Sequence, residues 1–498
     1  MISRLNVKPI FVTLVAMALL LPMAWAQATD YVFPGHLPSG CSGGSGSYDC
    51  GSLALGWADT ISITEPTTIT VNGDLSTQNN QINAAGSASN LTLVVTGTLS
   101  GGYTAKINAN ITAGTIADSN DQVDYGGSLT TTTGGITLKS GSKVAGTITT
   151  TSGNISLGGG TSVAGNIVTN GGNVTLAGYN VIAGYISSDA GSVSVGYGVK
   201  INGNITAVSI AEVSYSGGST YGGSLTATTG IIDLYSGSTV AGSISSISGN
   251  ISLYGNNTVG GHISSTSGAI ATGFNVKVNS GGVSTAGSIT IGQDNLIAGS
   301  ATSTAGSITL GYRVQLNGNV SASGEVSIGQ DSTVTGSLSS ANLGTVTVGY
   351  GAHINGDIVT GGAITLAQGA VALGNITGAG GNVKVEYGAK VSGTITTSSG
   401  TISFAQNSVA SSCVTSTESA TITLGYYASV DSVCCGSSCS TSCVVNGSNL
   451  TMPKQCTPAA PPPTLGFFPV SVSPLNEDIT TWTNGSVYAG KFNGIQNL

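Results

Sequence analysis

The chain has 498 residues, of which only 6% are charged, with 77 glycines and a formal net charge of −8. Globular domains carry about a quarter charged residues, and the scattered carboxylates leave no basic patch, so nucleic acid is excluded as a partner. Eight cysteines, an even number, point to disulfides if the chain reaches an oxidising compartment.

Residues 1–26 hold Arg4 and Lys8, an apolar run from Ile10 to Leu21, and Ala24-Trp25-Ala26. This is the pattern of a secretory signal peptide cut before Gln27. No later segment has the apolar length of a membrane span. The expected location is therefore the periplasm, the outer surface or the extracellular space, with no membrane span after cleavage. Residues 27–94 form an N-terminal cap region with Cys41 and Cys50 as an expected disulfide.

From about 95 to 410 the chain repeats. Ile136, Ile155, Val174 and Val193 are each nineteen residues apart, and the series resumes at Ile232 and continues to Ile402 with steps of 18 to 20. Val144, Val163, Ile182, Ile201 and Ile148, Ile167, Ile186, Ile205 keep the same beat. Such self-similarity marks a solenoid, in which each unit buries its apolar face against its neighbours. Within a unit, Ile136-Thr137-Leu138 and Val144-x-Gly146-x-Ile148 alternate with period two, and nothing recurs at helical spacing. The expected fold is all-β: a parallel β-helix of ~19-residue coils, right-handed like other parallel crossovers, with disulfide-rich ends. Gly146, Gly165, Gly184, Gly203 and Gly242 mark a corner that requires a small residue or a positive φ. Gly97–Ala113 aligns with Gly191–Ala207, so a five-coil block was duplicated. The irregular stretches 112–130 and 206–226 are then one deviation appearing twice, a coil with an altered loop.

Three columns of the repeat bear on function. Asp294, Arg313 and Asp331 each lie five residues after their anchors, as a candidate charge ladder. Gln293, Tyr312, Gln330, Tyr350, Gln368, Tyr387 and Gln406 lie four after theirs, and Tyr312, Tyr350 and Tyr387 form a candidate recognition strip. Thr137, Ser156, Thr175 and their successors form a hydroxyl file, one per strand, too narrow for an ice-binding array. Paired carboxylates on a β-helix are what a glycosidase would need, but the Asp-Arg-Asp order reads first as a ladder. His36, His262 and His353 are far apart and in no motif. No catalytic residue, metal site or cofactor is expected.

Residues 411–456 carry Cys413, Cys434, Cys435, Cys439, Cys443 and Cys456 and are expected to cap the rod, whose terminal strand edge would otherwise invite aggregation. A Pro-rich linker, 457–464, and a tail, 465–498, follow. The tail is short enough to be the start of a truncated domain.

The segments CSGGSGSYDCGSLALGWADTISI from Cys41 and ITVNGDLSTQNNQINAAGSASNLTLVVTGTL from Ile69 resemble the start of the MshQ family of MSHA biogenesis proteins. That resemblance implies an exported component associated with a mannose-sensitive haemagglutinin type IV pilus, with pilus or cell-envelope proteins as partners. The V-x-G-x-I coil pattern is similar to bactofilin scaffolds, which implies architecture alone because those proteins lack a signal peptide. Neither family supplies catalytic residues. The expected function is that of an exported, non-enzymatic structural or adhesive β-helix, involved in pilus biogenesis or surface attachment. The alternative is a carbohydrate-binding or carbohydrate-cleaving β-helix acting on surface glycans.

Overall fold

The computed structural model describes residues 28–213, 217–341, 343–417, 420–446 and 453–456. Residues 1–26, where a signal peptide is expected, and the expected linker 457–464 and tail 465–498 lie outside the described residues. The described chain is an all-β parallel solenoid of about 21 turns, on the order of 100 Å long at the usual strand spacing.

Each regular coil contributes three short strands, as in Ile136–Leu138, Lys143–Val144 and Ile148–Thr150. Each strand pairs in parallel with its equivalent one coil on. Ile136 sits against Ile155, Val144 against Val163 and Ile148 against Ile167. The period-two pattern explains the inside and the outside. Ile136 and Leu138 are buried while Thr137 between them is exposed, because successive side chains of a strand point to opposite faces. The stacked aliphatics fill one continuous core.

The glycine column works through close approach. Gly146 and Gly165 do not have positive φ; an added Cβ at either would run into the backbone of the coil before it. A second corner is closed by buried hydroxyls at the end of the third strand. Ser265 donates to the Gly249 carbonyl of the preceding coil at 3.0 Å and accepts from the Gly268 N–H at 2.9 Å. Ser303 does the same with Gly287 and Gly306. These bonds satisfy turn groups that burial would otherwise strand.

The ladder extends beyond 95–410 at both ends. Thr67–Val71 pairs with Ser47–Cys50 and with Leu91–Val95, and Val409–Ser416 pairs with Ser429–Cys435. The N-terminal and Cys-rich regions are thus modified coils of the same rod. Cys41 bonds Cys50 across an antiparallel hairpin. At the other end the pairs are Cys413–Cys456, Cys434–Cys439 and Cys435–Cys443. Four disulfides fit an oxidising, non-cytoplasmic environment. Among the described residues, no helix is long and apolar enough to cross a membrane.

The two irregular stretches hold equivalent substitutions. Ile116 and Ile210 follow their partners Leu99 and Val193 by only seventeen residues. Their next partners, Ile136 and Ile232, come twenty and twenty-two residues later, so a short coil is followed by a lengthened one in both places. In both, a tyrosine takes the aliphatic place on the second strand: Tyr125 between Ile107 and Val144, Tyr221 between Ile201 and Val240. A carboxylate takes the inward place two residues after the first-strand isoleucine, Asp118 just past the strand and Glu212 at its end. Tyr125 donates its hydroxyl to Asp118, and Tyr221 donates to Glu212 at 2.8 Å.

Candidate recognition surface

The corner between the first and second strands carries the functional candidates. Its turn needs a left-handed residue five after each anchor, and that requirement dictates who can stand there. Glycine does so at Gly351, Gly369 and Gly388, while Asp294, Arg313, Asp331 and Asn407 take φ of 53° to 59° at the same station. Asp and Asn tolerate this region better than most side chains; Arg313 does so at some cost.

Backbone bonds hold the neighbouring column in register from coil to coil. The N–H of Asp294 donates to the Tyr312 carbonyl, Arg313 to Gln330, Asp331 to Tyr350, Gly351 to Gln368, Gly369 to Tyr387, and Gly388 to Gln406. The Tyr/Gln alternation is therefore a straight file, stepping about 4.8 Å per coil. All seven of its members are exposed, with Tyr312 at 37%, Tyr350 at 51% and Tyr387 at 46%. The surroundings differ along it. Tyr312 lies under the Arg313 guanidinium, 4.4 Å from ring centroid to Cζ. Tyr350 and Tyr387 are each followed by glycine, and the space beside Gly369 and Gly388 is open. Asn407 donates to the Tyr387 hydroxyl at 3.2 Å, fixing one end of that ring.

The charge ladder is a pair and not a triad. Arg313 bonds both oxygens of Asp294, at 2.6 and 2.9 Å. Asp331 instead accepts from the Gln330 amide at 3.1 Å. The hydrogen bond from Arg313 holds the Asp294 carboxyl below its ordinary range, and the same bond raises the guanidinium. Both groups are exposed, so their attraction is screened and contributes little to stability.

The corner also collects aromatics that the Tyr/Gln column alone does not reveal. Tyr235 stacks on Tyr254 with centroids 4.9 Å apart, and Tyr179 meets Tyr197 edge to face at 4.8 Å. These residues fall three, four or five positions after their anchors, so a single-column search misses that they share one ridge. Missed as well were Asp118 and Glu212. Burial raises the Asp118 carboxyl to about 7 and raises Glu212, yet both lie inside the rod, 3% and 6% exposed. The signal was available as acidic residues in an inward-facing position beside Tyr125 and Tyr221.

Elsewhere little converges. His36 bonds the Asp30 carbonyl and His262 the Ser243 hydroxyl, while His353 stands on an outer strand face. Among the described residues, no group of three His, Cys, Asp or Glu could hold a metal ion. A depression of about 600 Å3 at the Cys-rich end is lined by Thr417, Thr421, serines and the Cys435–Cys443 disulfide, without a titratable group. No family model, curated protein or solved structure matches the chain.

Proposed function

We propose that the chain is an exported, non-enzymatic structural and adhesive β-helix, serving in surface attachment in the setting of MSHA-type pilus biogenesis. The rod supplies length and rigidity, and its first corner supplies contact. The observation that carries this reading is the register-locked file Gln293 to Gln406, with three exposed tyrosines every second coil. Tyrosine offers a flat apolar face together with a hydroxyl, at low entropic cost on ordering. Weak contacts repeated along one rod add by avidity, which suits an extended, repetitive partner such as a glycan or an array of pilus or cell-envelope proteins.

The carboxylates support a non-enzymatic role. A glycosidase needs an accessible acid whose pKa is raised, facing a second carboxylate. The carboxyls that burial raises, Asp118 and Glu212, are sealed in the core, whereas Asp294 on the corner is lowered by Arg313. The test is attachment of cells that display the chain with Tyr312, Tyr350 and Tyr387 all changed to Ser. Attachment should fall while circular dichroism stays that of the native rod. Undiminished attachment by a folded triple variant would reduce the column to a corner ladder.

A further inference from the structure

We infer that the corner binds a neutral, β-1,4-linked polysaccharide of the cellulose or chitin type, lying along the rod axis. This rests on reading the Tyr/Gln corner as a recognition surface, and it names the chemistry of the partner.

Period is the first argument. Tyr312, Tyr350 and Tyr387 recur every second coil, a spacing of roughly 10 Å. A β-1,4-linked pyranose chain is a flat ribbon in which alternate sugars turn over. The same ring face therefore returns after two sugars, also roughly 10 Å, or two strand spacings. Each tyrosine then meets an equivalent sugar with no adjustment of either partner. α-Linked glucans coil, so they present no such straight repeat.

The residues between the tyrosines are the second argument. Gln293, Gln330, Gln368 and Gln406 are exposed on the intervening coils. A glutamine amide both donates and accepts, which is what the ring of equatorial hydroxyls on the alternate sugar requires. Apolar pyranose faces stack on the tyrosines, and hydroxyl edges meet the glutamines. From Gln293 to Gln406 the file crosses six coil steps, roughly 30 Å, enough for about six sugars.

Charge is the third. Along this file Arg313 is taken up by Asp294, and Lys384 by Glu386 at 2.6 Å, which leaves Asp331 without a basic partner. The corner has no row of free cations to attract a uronate or sulfated polymer, and little charge to desolvate against a neutral one. Tyr350 and Tyr387, flanked by Gly351 and Gly388, present the more accessible rings. Tyr312 contributes less because Arg313 covers one of its faces.

The experiment is depletion of the purified protein by insoluble polysaccharides. Microcrystalline cellulose and chitin are the two test arms, and granular starch and alginate beads the controls. Retention on cellulose or on chitin, and on neither control, is expected; the arm that retains identifies the source. Changing Tyr350 and Tyr387 to Ser should weaken retention at least tenfold, whereas Tyr350→Phe with Tyr387→Phe, which keeps the rings, should preserve most of it. No retention on either β-1,4 polymer, or equal retention by the Ser variant, overturns the inference. If cell attachment still depends on the tyrosines, the corner remains a recognition surface for another partner. Tyrosine-independent attachment overturns both readings.

Discussion

Arg313 grips Asp294 of the preceding coil through Nε and Nη2, at 2.6 and 2.9 Å, and the same guanidinium lies over the ring of Tyr312. One side chain thus joins the charge column to the aromatic column while standing at a left-handed position, φ 53°, that favours glycine. Arg313→Gly removes an exposed ion pair, which contributes little, and relieves the backbone. The melting temperature should therefore stay where it is or rise slightly. Tyr312 should at the same time become more reactive toward a tyrosine-modifying reagent, because its ring is uncovered. A marked fall in melting temperature would show that the clamp holds the corner.

The paired deviations predict a pH dependence. Asp118 titrates near 7 in the folded chain, against 3.8 in its ordinary state, because burial disfavours its charge. Folding therefore favours the protonated acid, and the folded state holds a proton that the unfolded chain has released. The contribution of this group to stability should be greatest below about pH 4, decline as pH rises toward 7, and level off above. Burial raises Glu212 as well, which adds a loss of the same sign. Thermal unfolding at a series of pH values checks this. Asp118→Leu, which restores the aliphatic place, should flatten part of the slope, whereas Tyr125→Phe should cost about 1–3 kcal/mol by leaving a buried carboxyl short of a donor.

Ile251 lies fully buried between Ile232 and Ile270. Ile251→Asp places an unpaired charge in a dry column and should cost at least about 3 kcal/mol, whereas Ile251→Val should cost about 0.5–1.5 kcal/mol. Because coils stabilise only their neighbours, hydrogen exchange in the Asp variant should accelerate most in the adjoining coils. Uniform acceleration along the rod would contradict nearest-neighbour stacking.

The disulfides differ in the loops they close. Cys413–Cys456 spans 43 residues and Cys434–Cys439 only 5. Loop-closure entropy gives about 4 kcal/mol for the longer and about 2 kcal/mol for the shorter. Replacing the first pair by serine should loosen the C-terminal coils more than replacing the second. Proteolysis on reduction should begin at the ends, since the regular coils contain no cysteine. Peptide mapping that found other partners for these six cysteines would reject this cap.

The rod was legible because one periodicity governed both local pairing and burial. Ile136, Ile155 and Val174 announce strand, face and register together. The matching sequence of Gly97–Ala113 and Gly191–Ala207 marks where the altered coils lie, but not the Tyr–carboxylate pairs inside them. Other features depend on three-dimensional coincidence. A left-handed station is plain where glycine fills it, as at Gly388, and hidden where Arg313 does. The hydroxyl of Ser265 looks like any turn serine until its bonds to Gly249 and Gly268 are seen. Whether Asp331 joins Arg313 is a matter of side-chain reach, and in the structure it turns to Gln330. The extension of the ladder into 27–94 was obscured because those coils are longer and carry an Asn-rich loop instead of the V-x-G-x-I pattern.

The most direct test of the corner as the working surface is attachment strength across the single, double and triple Tyr→Ser variants at 312, 350 and 387. It is read as the shear that detaches half of the displaying cells. Contacts that add along one file predict a stepwise fall with each tyrosine removed, with the smallest step at Tyr312 and the lowest value for the triple variant. Equal attachment strength in all variants, with the rod intact by circular dichroism, would contradict a recognition role for this corner.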